Sequence, residues 1–211
     1  MKDITLAIID TVNPDFASKI LDYNYNIFNA KSAKIFTNLN KLTHLNHEAV
    51  HVDINNIADY NTFCINKLHS YIDTDYVLVL QTDGIIINPH LWSDSFLDWD
   101  YIGAPWPFWG PGPFLPHMNR VGNGGFSLRS KKFLDLTSHF NNISNENEDH
   151  FLCRTSYHAV VGSGLRFADL KTACSFALEH NNPEYEQTYL NVFGIHGKMH
   201  AGHLNQIYSK I

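Results

Sequence analysis

The segment Leu80-Gln81-Thr82-Asp83-Gly84 sets one carboxylate between two apolar runs, Tyr76-Val77-Leu78-Val79-Leu80 and Ile85-Ile86-Ile87. A carboxylate placed there is costly unless a metal ion or hydrogen bonds meet it. A second acidic feature, Glu148-Asp149, follows the polar stretch Asn141 to Asn147 and opens a helical segment. Carboxylates favour helix N-termini through the dipole, so capping competes with acid–base chemistry as the reason for this pair. Between the two lies a glycine-rich turn running into a short strand, Val121-Gly122-Asn123-Gly124-Gly125-Phe126-Ser127-Leu128-Arg129. It lacks the GK[ST] ending of a phosphate-binding loop, and its glycines point instead to close approach of a ligand to backbone.

Two further clusters could contribute. Ala104 to Phe114 is dense in proline, glycine and aromatics, too broken for a helix and too rigid for a flexible linker. Its Trp106 and Trp109 are either platforms for apolar sugar faces or plugs of the core. Among 13 histidines, His196, His200 and His203 stand close together. Gly197 occupies the position where the zinc motif HExxH needs glutamate, and Gly202 disfavours a continuing helix. A structural or surface role is therefore expected for His200 and His203.

These residues need a scaffold, and the periodicity predicts an α/β one. Ile4 to Ile9 reads as a strand ending at Asp10 and Thr11. Asn13-Pro14-Asp15 offers a cap, a first-turn proline and a first-turn acid for a helix carrying Phe16, Ile20, Tyr23 and Ile27 on one face. Ala33 to Thr37 and the alternating Val50, Val52 and Ile54 predict two more strands. A second helix is expected with Ile57, Tyr60, Cys64, Leu68 and Tyr71 along one side. The run Tyr76 to Leu80 has the pattern of a strand buried on both faces. Strands separated by helices imply a doubly wound, mostly parallel sheet flanked by helices, with ligands beyond the carboxyl ends of the strands. That end holds Asp10, Thr11, Thr37, Gln81, Thr82 and Asp83. Polar residues follow most strands, so each of these taken singly is as readily an ordinary loop residue. Ser130 is expected to cap a short helix through Phe133, Leu134 and Leu136.

Composition narrows the classes. A chain of 211 residues, 44% hydrophobic and 17% charged, can bury a core and is not disordered. A net charge of −6 with no basic run argues against nucleic acid as a partner. Lys2 and Asp3 open the chain and the first apolar run stops at Asp10, which does not read as a secretory leader. Cys64, Cys153 and Cys174 are odd in number and widely spaced, so buried free thiols in a reducing cytoplasm are expected.

The order of these motifs carries a resemblance. A strand ending Val-Leu-Gln-Thr-Asp is followed by Asp100-Tyr101-Ile102-Gly103-Ala104-Pro105-Trp106, then by Val121 to Arg129, Glu148-Asp149 and Phe193-Gly194-Ile195-His196-Gly197. Over roughly residues 4 to 200 the chain resembles a little-characterised family of GT-A glycosyltransferase-like proteins, catalogued as a domain of unknown function (DUF5672-like) and found with surface-polysaccharide enzymes. The resemblance implies a single GT-A-like, Rossmann-like domain over residues 1–211, with a nucleotide-binding half (1–90) and an acceptor-binding, catalytic half (91–211). It implies a nucleotide-sugar donor, UDP-linked by default, a glycan acceptor, and Mn²⁺ or Mg²⁺ bridging the diphosphate. Asp83 then occupies the last position of the metal-binding DxD motif and His196 the C-terminal metal-ligand position. Gln81 departs from the pattern, standing where the first Asp of DxD belongs. Asp10, Thr11, Thr37, Gln81, Thr82 and Lys198 would lie by the nucleotide and its phosphates. Trp106, Trp109, Asn123, Gly124 and Gly125 would face sugar or acceptor. Asp149 would be the base of an inverting transfer, with Glu148 binding acceptor or supporting the site. Transient contact with the inner membrane surface or with other glycan-assembly enzymes also fits such a role. Two other classes stay open: a metal-dependent hydrolase built on Asp83 and His196, and a degenerate sugar- or nucleotide-sugar-binding protein, to which Gln81 and the short chain point.

Overall fold

The computed structural model describes residues 2–107 and 119–211. Trp109 lies outside the described residues. In chain order the elements are β1 (Lys2–Ile9), α1 (Pro14–Phe28), β2 (Ala30–Thr37), β3 (Glu48–His51), α2 (Ile57–Thr62), β4 (Tyr76–Leu80), β5 (Gly84–Ile86) and β6 (Tyr101–Gly103). There follow β7 (Phe126–Ser130), α3 (Lys131–Thr137), α4 (Glu148–His150), α5 (Tyr157–Gly162), α6 (Leu170–Phe176), β8 (Ala177–Leu178), β9 (Gly194–His196) and α7 (Ala201–Tyr208).

Six strands form one sheet in the order β3-β2-β1-β4-β7-β6. The first four are mutually parallel, while β7 runs antiparallel to both β4 and β6. The sheet is thus mixed, with β7 the one reversed strand. Its hydrophobic residues divide by pleat. Leu6 and Ile8 of β1 and Leu78 and Leu80 of β4 face α1, whereas Ala7, Ile9, Val77 and Val79 face the segment around α2. All eight are buried, which is why these strands read as continuous apolar runs. Each large side chain so buried contributes roughly 1.5–3 kcal/mol of transfer free energy.

Local details differ from the sequence pattern in three places. Asn13 makes no side-chain cap for α1; Asp10 Oδ1 instead accepts from the N–H groups of Val12 and Asn13, an Asx-type turn. Asp15 turns away from the helix end to accept from Thr43 and His44. The third strand starts earlier and ends at His51, with one more backbone bond from Val52 N to Thr37 O, so Ile54 falls outside the sheet. The expected second helix is broken into α2, a π-helical turn over Phe63–Lys67 and a 3₁₀ turn over Leu68–Tyr71. The π turn buries Phe63, Cys64 and Ile65 consecutively, a wider buried face than the single stripe the sequence spacing predicts. Ile57, expected on the buried side, is 62% exposed.

The reversed strand positions the site. Because β7 is antiparallel to β4, its first residue Phe126 pairs with the last residue of β4, Leu80. The glycine-rich turn before β7 therefore arrives at the carboxyl end of the parallel strands, and Gly125 O accepts from Gln81 N at 2.8 Å. A second, three-stranded sheet, β5-β9-β8, pairs Gly84 with His196 and so sets the imidazole beside the turn of Asp83. Ser130 Oγ caps α3 through Phe133 N, as its position predicts. The three cysteines are buried and free. Among the described residues no helix is long and apolar enough to cross a membrane.

Candidate active site

Beyond the ends of β1 and β4 opens a cavity of about 650 Å³. Asp10, Thr11, Gln81, Thr82, Asp83 and Lys198 line it, together with apolar walls from Ile9, Phe16, Ile54 and Leu204. Thr11 Oγ1 donates to Ile54 O at 2.9 Å, tying the ends of β1 and the β3 extension together. Helix α7 forms a wall: Tyr208 OH donates to Thr82 O at 2.7 Å and its ring packs edge-on against Phe16. Burial and the charge of Asp83 push the Tyr208 phenol up to about 12, keeping it a donor at neutral pH. Thr37, expected by the nucleotide, is fully buried and lines no described cavity; its Oγ1 has no hydrogen-bond partner among the described residues.

Next to this cavity, in the wall of a smaller cleft that adjoins it, stands His196. Its Nε2 lies 3.1 Å from Gln81 Oε1 and 3.5 Å from Asp83 Oδ1. Behind it, Glu179 Oε1 lies 3.4 Å from Nδ1. Burial pushes the Glu179 carboxyl up, but His196, His180 and Asn123 outweigh it and hold the group below the usual range. A carboxylate behind an imidazole is the usual way a ligating histidine is oriented. Adjacent ligands of an octahedral ion lie about 3 Å apart, so Asp83 and His196 need close little to share one. Among the described residues no group of three His, Cys, Asp or Glu side chains converges as a metal cage. Two protein ligands with the remainder from phosphate and water is the habit of Mg²⁺-type sites, and the donor set fits that class.

Gly125 makes this corner possible. A Cβ there would overlap His196 Nε2 and Gln81 Oε1, so both side chains approach bare backbone. Gly125→Ala is expected to lower stability by about 1–3 kcal/mol in urea unfolding, through forced displacement of the imidazole. An unchanged midpoint would show that the corner is loosely packed.

The smaller cleft, of about 210 Å³, is lined in part by Trp106, Asn123, Gly124, Gly125, Glu148, Asp149 and His196, with Gln81 shared between the two. Asp149 Oδ2 accepts from Gly124 N at 3.1 Å, and Oδ1 from its neighbour His150 N at 2.7 Å. Both oxygens are oriented and each keeps acceptor capacity for a further hydroxyl. Glu148 differs sharply. It is buried, and Arg129 grips both its oxygens, Nη2 to Oε1 at 3.0 Å and Nη1 to Oε2 at 3.2 Å. Burial pushes the Glu148 carboxyl above its ordinary range, with Arg129 pulling it back and Asp149 adding to the rise. Gly124 is bare because a Cβ would overlap Glu148 Oε1. Asn123 takes a left-handed conformation, φ 59°, and its carbonyl accepts from Tyr101 OH. Trp106 is half-buried, its ring covering Gly122 and carrying the Arg154 guanidinium at 4.5 Å. It packs and lines the cleft at once.

The structure thus brings Asp10, Thr11, Gln81, Thr82, Asp83 and Lys198 to one cavity, and Trp106, Asn123, Gly124, Gly125, Glu148 and Asp149 to its neighbour. His200 and His203 stand apart from both and hold Tyr189, one by a hydrogen bond to its hydroxyl, the other by stacking. Arg129, Glu179 and Tyr208 carry no local signal of their role. Arg129 occupies a strand position like any surface arginine, and Glu179 and Tyr208 reach the site only through packing.

Solved structures share this architecture. A glycosyltransferase involved in glycosylation of the major capsid of PBCV-1 is 12% identical, covers 99% of both chains and superposes with a TM-score of 0.56. The galactosyltransferase LgtC, solved with donor and acceptor sugar analogues, is 13% identical over 98% of this chain and 96% of its own, TM-score 0.56. The bifunctional IspDF from Campylobacter jejuni is 12% identical; the chain spans about half its length (48%) with a TM-score of 0.44, too low to bear on fold. No functionally curated protein matches the chain by sequence. The fold is that of the GT-A glycosyltransferases. The sequence over residues 43–196 matches the model of "Protein of unknown function (DUF5672)", and the chain belongs to that family.

Proposed function

We propose that the protein is a glycosyltransferase that moves a sugar from a nucleotide-sugar donor to a hydroxyl of a glycan acceptor, with inversion. The observation that carries this reading is the meeting of two sites: a nucleotide-sized cavity lined by Asp83, and an adjoining cleft that holds His196 beside it together with an oriented, ligand-accessible carboxylate. The nucleoside lies between the ends of β1 and β4 and helix α7, with Lys198 on the phosphates. Asp83 and His196 would hold Mn²⁺ or Mg²⁺; when bound, the ion neutralises charge building on the departing diphosphate. Gln81, a neutral amide, adds no charge; its Oε1 meets the same Nε2, and that contact would give way when the nitrogen turns its lone pair to an ion. Asp149 takes the proton of the attacking acceptor hydroxyl, while Glu148 and Arg129 hold the backbone that aims it. The donor is a UDP-sugar by class default, and assembly of surface polysaccharide in the cytoplasm fits the buried free thiols.

A thermal-shift screen of UDP, GDP and CMP with and without Mn²⁺ tests donor and metal together. One nucleotide is expected to raise Tm with Mn²⁺ and to lose most of that rise in EDTA or in Asp83→Ala. Stabilisation that is indifferent to chelation would remove the metal, and none at all would remove the donor.

A further inference from the structure

A third cavity, of about 480 Å³, lies on the far side of Glu179, whose side chain also lines the Asp149 cleft. His180, Asn181, Gln187, Thr188, Tyr189 and Met199 are among its walls. Nothing in the mechanism above uses it, yet its construction is specific. Tyr189 is 39% exposed, but its ring is immobilised: it stacks on His203 at 4.6 Å and 9°, and its hydroxyl bonds His200 Nδ1 at 2.9 Å. His200 Nε2 in turn meets Glu179 O at 3.0 Å, linking the aromatic wall to the cleft. The loop bearing Tyr189 is held by Asn88, which donates to Tyr189 O and Val192 O. Gln187 is nine-tenths buried, gives its amide hydrogens to Cys174 O and Ala177 O, and leaves Oε1 without a partner among the described residues.

A rigid exposed ring beside amide, hydroxyl and imidazole groups is the composition that a pyranose needs, apolar C–H face on the ring and hydroxyls to the polar rim. The Asp149 cleft, at about 210 Å³, is below the roughly 300–1,000 Å³ usual for ligand pockets and cannot hold an extended acceptor. We infer that this third cavity is a saccharide subsite, where the acceptor chain continues past Glu179 and lays its second or third sugar residue on Tyr189. The inference rests on the acceptor reading above and adds where the glycan runs.

Met199 reports on the cavity directly, as one of three methionines in the chain. With ¹³C-methyl-methionine protein, its signal is identified by its loss in Met199→Leu. Maltotriose, cellotriose and chitotriose are titrated, with glucose and N-acetylglucosamine as single-sugar controls. At least one trisaccharide is expected to shift the Met199 methyl saturably and more tightly than its monosaccharide. Tyr189→Ala is expected to weaken that binding about tenfold. Asn181→Ala, at an exposed position where folding is not at risk, weakens it several-fold. In both variants nucleotide-dependent stabilisation stays as in the wild type. Absence of any Met199 shift, equal response to monosaccharides, or wild-type binding by both variants overturns the subsite. Failure of nucleotides to stabilise any of these proteins overturns the donor reading instead, and the two readouts separate the cases.

Discussion

Asp149→Asn is expected to lower the transfer rate by about 10²–10⁴-fold, the range lost with a positioned general base. Nucleotide binding is expected to persist, because Asp149 lies in the smaller cleft and does not line the larger cavity. The substitution also has a structural consequence. Asp149 accepts from both Gly124 N and His150 N, and asparagine has one oxygen to offer them. One N–H then faces an amide NH₂, at a loss of about 1 kcal/mol. Kinetics at saturating donor separate the two effects, since a stability change of that size leaves the protein folded at assay temperature. Turnover within threefold of wild type would remove Asp149 as the base and move the search to Glu179, the carboxylate of the cleft that Arg129 does not hold.

Arg129→Ala should have the largest effect on stability, about 3–5 kcal/mol, because it leaves Glu148 charged, buried and alone. The guanidinium is fully buried and spends its donors on Glu148, on Ser127 Oγ and on Gly124 O, with the Tyr101 ring beneath it at 5.3 Å. Removing it therefore also frees the Gly124 backbone that aims Asp149. Glu148→Gln keeps an acceptor for the guanidinium and should lose less. Replacing both partners by apolar residues, Arg129→Met with Glu148→Leu, should recover much of the stability without recovering activity, since the leftover charge is gone but the turn is no longer gripped. Urea unfolding of the three variants reads this out. A loss under about 1 kcal/mol for Arg129→Ala would mean that water reaches Glu148 and the pair is peripheral.

The contrast between Glu148 and Asp149 shows what could be read locally. Adjacent carboxylates at a helix start are equivalent in sequence, because dipole and capping arguments apply to either. Only the arrival of Arg129 from β7 makes one a buried counterion and leaves the other facing the cleft.

The strands β1 and β4 and the polar residues at their carboxyl ends were legible in the sequence, because alternation and apolar runs follow from the pleat alone. The glycines of the Asn123-Gly124-Gly125 turn announced a close approach in the same way, through the absence of a side chain. What approaches them was decided by tertiary structure: Glu148 against Gly124, His196 and Gln81 against Gly125. The reversed strand β7, the π turn after α2, and the placing of Glu179 and Tyr208 likewise depend on partners far away in the chain. Sequence patterns report the environment of each element, apolar or polar, and it takes the pairing of distant strands to decide which polar groups meet.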